Sequence, residues 1–293
     1  MLLVKWWQLY QKLLCRYGNN TKINFSSSLY HFPTLLPVVG EGPLRPRLAT
    51  PLFRGKSQLH FTGDPLPPHT GKPRVYNMRF CPYAHRTILA LNAKNVDYEV
   101  VNIDLFDKPE WLTSKSYFGK VPSVEINDSE TVYESLITVE YLDEIYPQRP
   151  LLPKDPARKA YDKIIVESIG PIQSYLFKVV RSPDTISDAD VTALNKTLDF
   201  VQDQLKSRGT KFLDGSEPGF ADYMIWPWFE RLLNYEHIVN IDSKKYGHMV
   251  EYFNNMLEDP AVKLYLVPRD TFLKFYEAYR TGAKPDYNIL SSQ

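Results

Sequence analysis

Residues 73–94 read PRVYNMRFCPYAHRTILALNAK, and this stretch decides the fold. Pro73–Met78 has strand composition, with Val75 and Tyr76 at its centre. Pro82 is suited to the first position of a helix, because the N–H it lacks would be unpaired there. From Pro82 to Lys94, Ala84, Ile88 and Leu91 fall on one helical stripe. Cys81 therefore stands between a strand and a helix, where unpaired backbone N–H groups and the positive end of the helix dipole converge. Such a position predicts a thiol pKa lowered to roughly 3.5–7.5. The alternative is a cysteine that is only a small buried hydrophobe.

Outward from this stretch the pattern continues. Tyr98–Ile103 (YEVVNI) reads as a second strand, and Pro109–Lys115 as a short helical turn. Pro122–Glu125 and Thr131–Tyr133 flank the turn-forming INDSE segment as a hairpin, and Ser135–Tyr146 closes the unit as a helix ended by Pro147. The order β-α-β then β-β-α is that of a thioredoxin fold. After Pro150–Pro153 the strand signals vanish. Helices are expected over Pro156–Val180, Ser187–Ser207, Ala221–Leu233, Tyr246–Leu257 and Thr271–Tyr279. The fold class is thus α/β plus all-α: a thioredoxin-like domain over 56–150 and a helical domain over 151–293.

The beginning of the chain differs from the rest. Residues 1–40 contain no Asp or Glu, while Lys5, Lys12, Arg16 and Lys22 are basic. That amphipathic, acid-free composition is that of a mitochondrial transit peptide, and equally of a disordered leader with no targeting role. A proline-dense stretch from Pro33 to Pro73 reads as an extended linker, which places the start of the folded protein near Lys72. The leader with the first part of the linker is taken as 1–55. A cytoplasmic location is expected, or a mitochondrial one if the leader targets.

With 293 residues and 43% hydrophobic content, the chain can form a sizeable core. A net charge of +1 gives no reason to expect nucleic acid as a partner. No run is apolar enough to span a bilayer, so stable membrane insertion is not expected. The histidines show no metal-ligand spacing, no P-loop or G-x-G-x-x-G occurs, and no metal is expected.

Cys15 and Cys81 are the only cysteines. The position after Cys81-Pro-Tyr is Ala84, so no C-x-x-C dithiol exists, and the helical domain holds no cysteine. Once Cys81 forms a mixed disulfide, an external thiol must release it. Glutathione is the abundant candidate, as co-substrate.

Several motifs together resemble the omega-class glutathione transferases. They are MRFCPYAHRT over Met78–Thr87, KPEW over Lys108–Trp111, FGKVP over Phe118–Pro122 and YES over Tyr133–Ser135. In the helical half, IWPWFERL over Ile225–Leu232 and EDPAV over Glu258–Val262 agree. The similarity runs from about Lys56 to the C-terminus.

The resemblance implies that Cys81 is the catalytic cysteine and forms a mixed disulfide with glutathione. It implies that Glu134 and Ser135 grip the γ-glutamyl end, that Val121 and Pro122 form a cis step facing the cysteinyl amide, and that Lys108 meets the glycyl carboxylate. It also implies an acceptor pocket of Arg231, Phe272, Phe275 and Tyr279; the i, i+3, i+7 spacing of the aromatics equally fits a core face. Reduction of dehydroascorbate, deglutathionylation and a homodimer follow from the same resemblance, with a small oxidised or electrophilic acceptor. Alternatives are a conjugating glutathione transferase, a pteridine-pigment reductase of the same class, and a non-catalytic chloride intracellular channel-like protein.

Five positions depart from the family pattern. Ser116-Tyr117 replaces Asn-Pro, His85 replaces Glu or Gln and could tune Cys81, and Phe272 stands where some members carry Trp. Gly219 replaces a Ser or Thr helix cap, a change expected to be worth a few tenths of a kcal/mol.

Overall fold

The computed structural model describes residues 58–127, 130–235, 238–239 and 241–289. The leader, Cys15 and the tip of the predicted hairpin lie outside the described residues.

The sheet has five strands: β1 (Leu59–His60), β2 (Arg74–Asn77), β3 (Glu99–Ile103), β4 (Ser123–Asn127) and β5 (Glu130–Tyr133). Their spatial order is β1-β3-β2-β4-β5. β2 and β3 run parallel with Val75 opposite Val100, and β2 and β4 run antiparallel with Val75 opposite Val124. The parallel pair needs a crossover, which is helix α1 (Pro82–Ala93). A short α2 (Leu112–Lys115) follows β3, and α3 (Ser135–Ile145) follows the hairpin. Ile88 and Leu91 of α1, Val75 and Val124 of the sheet and Leu142 of α3 form one buried cluster with Tyr265.

β1 overturns the expectation that the folded protein starts near Lys72. Leu59 and His60 pair in parallel with Asn102 and Ile103. Two prolines of the supposed linker serve as acceptors: the guanidinium of buried Arg74 donates to the carbonyls of Pro67 and Pro68, at 2.9 and 2.5 Å. Trp111 donates its indole N–H to the carbonyl of Asp64 at 2.9 Å. Proline lacks a donor but keeps an acceptor, and composition shows only the first property.

The helical part comprises α4 (Pro156–Ser168), α5 (Gly170–Arg181), α6 (Asp188–Arg208), α7 (Phe220–Asn234), α8 (Gly247–Glu258), α9 (Pro260–Lys263) and α10 (Arg269–Thr281). The single helix expected over Pro156–Val180 is two, α4 and α5. The two meet at Ile169 (φ −79°, ψ 3°), and Pro171 has no N–H to continue the ladder of α4 across that junction. Every residue of α7 is buried, and α1, α4 and α5 pack around it. No helix among the described residues is long and apolar enough to cross a membrane.

The start of α7 explains Gly219. A Cβ there would lie 2.5 Å from the Cβ of Asp214 and 2.4 Å from its Oδ2, so a Ser or Thr cap would force Asp214 aside. Capping comes from three residues further on. The buried carboxylate of Asp222 accepts from the N–H groups of Gly219, Leu213 and Asp214 at 2.9, 2.9 and 3.2 Å. The departure is therefore more than a weakened cap.

Candidate functional site

Cys81 is the N-cap of α1, with φ −75° and ψ 120°, and Pro82 occupies the first turn. Its own N–H donates to Met78 O at 2.8 Å, and its carbonyl accepts from His85 N at 3.0 Å. The thiol donates to Val121 O at 3.9 Å. The side chain is almost wholly buried. This burial corrects the expectation of a lowered pKa. It pushes the thiol up from its ordinary value, outweighing the Ala84 and Tyr83 N–H groups and the Arg231 and Arg86 guanidiniums, which all favour the thiolate.

The other candidate residues of the thioredoxin-like half lie on the loop after β3, on the loop before β4 and at the start of α3. The Val121–Pro122 peptide is cis. Lys108 is exposed and its ammonium donates to Gly119 O at 2.8 Å. Ser116, at a departure from the family pattern, closes the turn leading to the cis bond. Its carbonyl accepts from Gly119 N at 2.7 Å and its hydroxyl from Lys120 N at 3.2 Å. Tyr117, the second residue of that turn, is 75% exposed.

Glu134 precedes α3 with φ +72°, a left-handed conformation costing about 1–3 kcal/mol for a residue with a side chain. Its side chain is exposed, whereas Ser135 is buried. The Ser135 hydroxyl accepts from Arg86 Nη1 at 3.1 Å. Arg86 also donates to Met224 O at 2.8 Å and lies 4.2 Å from the ring centroid of Trp228. It thus joins α1, α3 and α7 immediately behind Cys81. Its position in the sequence, five residues after the cysteine, gave no hint of this.

A cleft of about 550 Å³ opens between the Cys81 loop and α5, α7 and α10. Arg231, Phe272 and Tyr279 line it, as does Cys81. Phe275 does not. It is 1% exposed and stacks on Phe80 at 3.7 Å between centroids and 11° between planes. The expected acceptor stripe is therefore corrected: Phe275 belongs to the core and Tyr276 takes its place at the cleft. Tyr276 is one helical turn from Phe272, and its hydroxyl donates to Phe80 O at 2.6 Å. Arg231 Nη2 donates to the same carbonyl at 2.7 Å, and Nη1 to Pro227 O at 2.6 Å. Two helices thus hold the residue before Cys81 by its carbonyl. The cleft's α5 wall, including Phe177 and Arg181, was not anticipated.

His85 does not bring a charge to Cys81. It is buried with its ring 4.8 Å from Tyr265, and burial, then the charge of Arg231, hold its pKa well below the ordinary imidazole value. It is neutral at physiological pH. Among the described residues no cluster of three or more His, Cys, Asp or Glu side chains could hold a metal ion.

A thioredoxin-like sheet carrying a helix-capping cysteine beside a cis-proline loop, joined to a helical half that walls an open cleft, defines the glutathione transferase architecture. Two family profiles match in chain order: the glutathione S-transferase N-terminal domain over residues 75–150 and the C-terminal domain over 184–255. The chain is 39% identical over 238 residues to pyrimidodiazepine synthase of Drosophila melanogaster, covering 78% of this chain and 95% of the relative. It is 41% identical over 214 residues to glutathione S-transferase omega-1 of Sus scrofa, covering 71% of this chain and 87% of the relative. The crystal structure of glutathione transferase Omega 3C from Trametes versicolor shares the fold, with a TM-score of 0.62 and 20% identity over 75% of this chain and 97% of that one. The chain belongs to the omega class of the glutathione transferase family.

Proposed function

We propose that this enzyme is a glutathione-dependent thioltransferase and reductase in which Cys81 carries glutathione as a mixed disulfide. The observation that carries this reading is the cysteine itself. It caps α1, it opens onto the acceptor cleft, and no second cysteine stands among the described residues. The Cys81 thiolate attacks the glutathionyl sulfur of a mixed disulfide, and the displaced thiolate takes up a proton. A second glutathione thiolate then attacks the Cys81–glutathione disulfide, releasing oxidised glutathione and restoring the Cys81 thiolate. Although burial keeps the ionised fraction small, a thiol of higher pKa is intrinsically the stronger nucleophile once ionised.

Glutathione fits the thioredoxin-like half as follows. Glu134 accepts from its ammonium. Ser135, whose oxygen already receives a hydrogen bond from Arg86, donates its hydroxyl proton to the γ-glutamyl carboxylate. The backbone of Val121 before Pro122 pairs with the cysteinyl amide, and Lys108 meets the glycyl carboxylate. Acceptors, dehydroascorbate and glutathionylated thiols among them, enter by the cleft of Arg231, Phe272, Tyr276 and Tyr279. Two copies associate through α3 and α4, which leave Ile137, Tyr161 and Ile164 exposed on helices tied by the Lys163–Glu140 ion pair at 2.8 Å. The enzyme works in the cytoplasm.

A second reading is favoured by the high coverage of the Drosophila relative, namely a pyrimidodiazepine synthase activity using the same Cys81 and glutathione. Assays of the purified protein with glutathione and dehydroascorbate, a hydroxyethyl mixed disulfide, a chloroarene and the pyrimidodiazepine precursor separate the readings. Turnover of the first two and little of the chloroarene is expected. Chloroarene conjugation alone would refute the reductase reading.

A further inference from the structure

Among the described residues the acceptor cleft is lined by three cationic side chains, Lys178, Arg181 and Arg231, and by no carboxylate. Two of the three have other engagements. Lys178 is neutralised by both oxygens of Asp190, at 2.7 Å each. Arg231 is buried, with its Nη groups on the Phe80 and Pro227 carbonyls. Arg181 is different. It is exposed at the C-terminal end of α5, and no carboxylate among the described residues lies within ion-pair distance of it.

Arg181 is nevertheless held in place. Its guanidinium lies 4.6 Å from the ring centroid of Tyr279 and 5.7 Å from that of Phe177. A cation–π contact uses none of the N–H donors of a guanidinium, and those donors match a carboxylate in a two-bond fork.

We propose that Arg181 makes this cleft selective for acceptors bearing a carboxylate, in particular mixed disulfides between glutathione and a carboxylated thiol. The proposal rests on the thioltransferase reading above. The chemistry stays that of disulfide exchange. Cys81 takes the glutathionyl group, the carboxylated thiol leaves with a proton, and a further glutathione supplies the two electrons as oxidised glutathione forms. Arg181 touches neither sulfur; it orients the leaving half of the substrate.

A charge series tests this with the full chain. Mixed disulfides of glutathione with 3-mercaptopropionate, 2-mercaptoethanol and cysteamine differ at the far end as carboxylate, hydroxyl and ammonium. The native enzyme is expected to show kcat/KM falling in that order. The carboxylate-to-ammonium ratio should exceed unity by about 3- to 10-fold and shrink as salt is raised. Arg181→Gln collapses the ratio toward one through KM, whereas Arg181→Lys keeps part of it. Equal kcat/KM for the three substrates in the native enzyme, or a ratio untouched by Arg181→Gln, overturns the proposal. No turnover of any of the three removes the thioltransferase reading itself, and the proposal falls with it.

Discussion

Replacing Arg86 by Met separates what the fold needs from what the site needs. The guanidinium is 4% exposed, and burial lowers its pKa from 12.5 to about 10. At 1.36 kcal/mol per unit, the charge costs the folded protein about 3 kcal/mol at neutral pH. The sign follows from linkage. Between about pH 10 and the unfolded value the native state binds fewer protons, so stability rises with pH there, and below about 10 the whole penalty is present. Against it stand two hydrogen bonds, to Met224 O and Ser135 Oγ, worth about 1.5–3 kcal/mol each, and the contact with Trp228, worth about 1–2. Methionine recovers much of the apolar packing while removing the penalty. Arg86→Met is therefore expected to lose only about 0–3 kcal/mol in urea unfolding. Glutathione binding is expected to suffer more visibly. Without its donor, the Ser135 hydroxyl is no longer oriented, and Kd should rise about 10- to 100-fold, the equivalent of one charged hydrogen bond. The assays are urea denaturation and calorimetric titration with glutathione. A stable variant that binds glutathione with native affinity would refute the reasoning.

Further outcomes are expected from two buried ionisable groups. Asp222→Ala strands three backbone N–H groups at the start of α7 and should cost about 3–5 kcal/mol in urea unfolding; an unchanged midpoint would contradict this. Burial also raises the Asp222 pKa to about 7, so the folded state holds a proton that the unfolded state has released. Stability should therefore fall as pH rises from about 4 past 7, and Asp222→Asn should flatten that slope in melts across the range. Alkylation of Cys81 by iodoacetamide should speed up with pH and inflect above about 8.5, the ordinary thiol value. Arg231→Gln should move the inflection higher, because the charge of Arg231 favours the thiolate; an inflection below the ordinary thiol value would sink the burial argument.

The fold was legible because its signals are local. A strand, a Cys-Pro step and an amphipathic helix within 73–94 announce β2 and α1, and the hairpin and closing helix follow by turn chemistry. What escaped depends on long-range partners. β1 is two residues long, too short for any periodicity, and exists only because Asn102 and Ile103 lie alongside it. The break at Ile169, just before Gly170-Pro171, was hidden by an apolar stripe that runs on across it, since periodicity does not register a missing N–H.

At the candidate site, residue types in order single out the cysteine and its proposed neighbours. The environment that sets their properties is assembled from distant segments. The thiol is pushed up by burial under a helical half whose packing no local pattern states. Phe272, Phe275 and Tyr276 illustrate the same limit. All three are aromatic and within about one helical turn, yet Phe80 on another element decides that Phe275 is core while Tyr276 meets the cleft.

The central claim is that glutathione is carried covalently on Cys81, and it is tested most directly by intact-protein and peptide mass spectrometry. The native protein would be treated with oxidised glutathione, beside Cys81→Ser run in parallel with the thioltransferase assay. A single glutathionyl adduct on the peptide containing Cys81 is predicted, reversed by excess glutathione. In Cys81→Ser the adduct and the reductase turnover are lost together while the fold and glutathione affinity persist, since a serine hydroxyl cannot form the disulfide. An unmodified Cys81, or near-native reductase turnover by Cys81→Ser, would contradict the account.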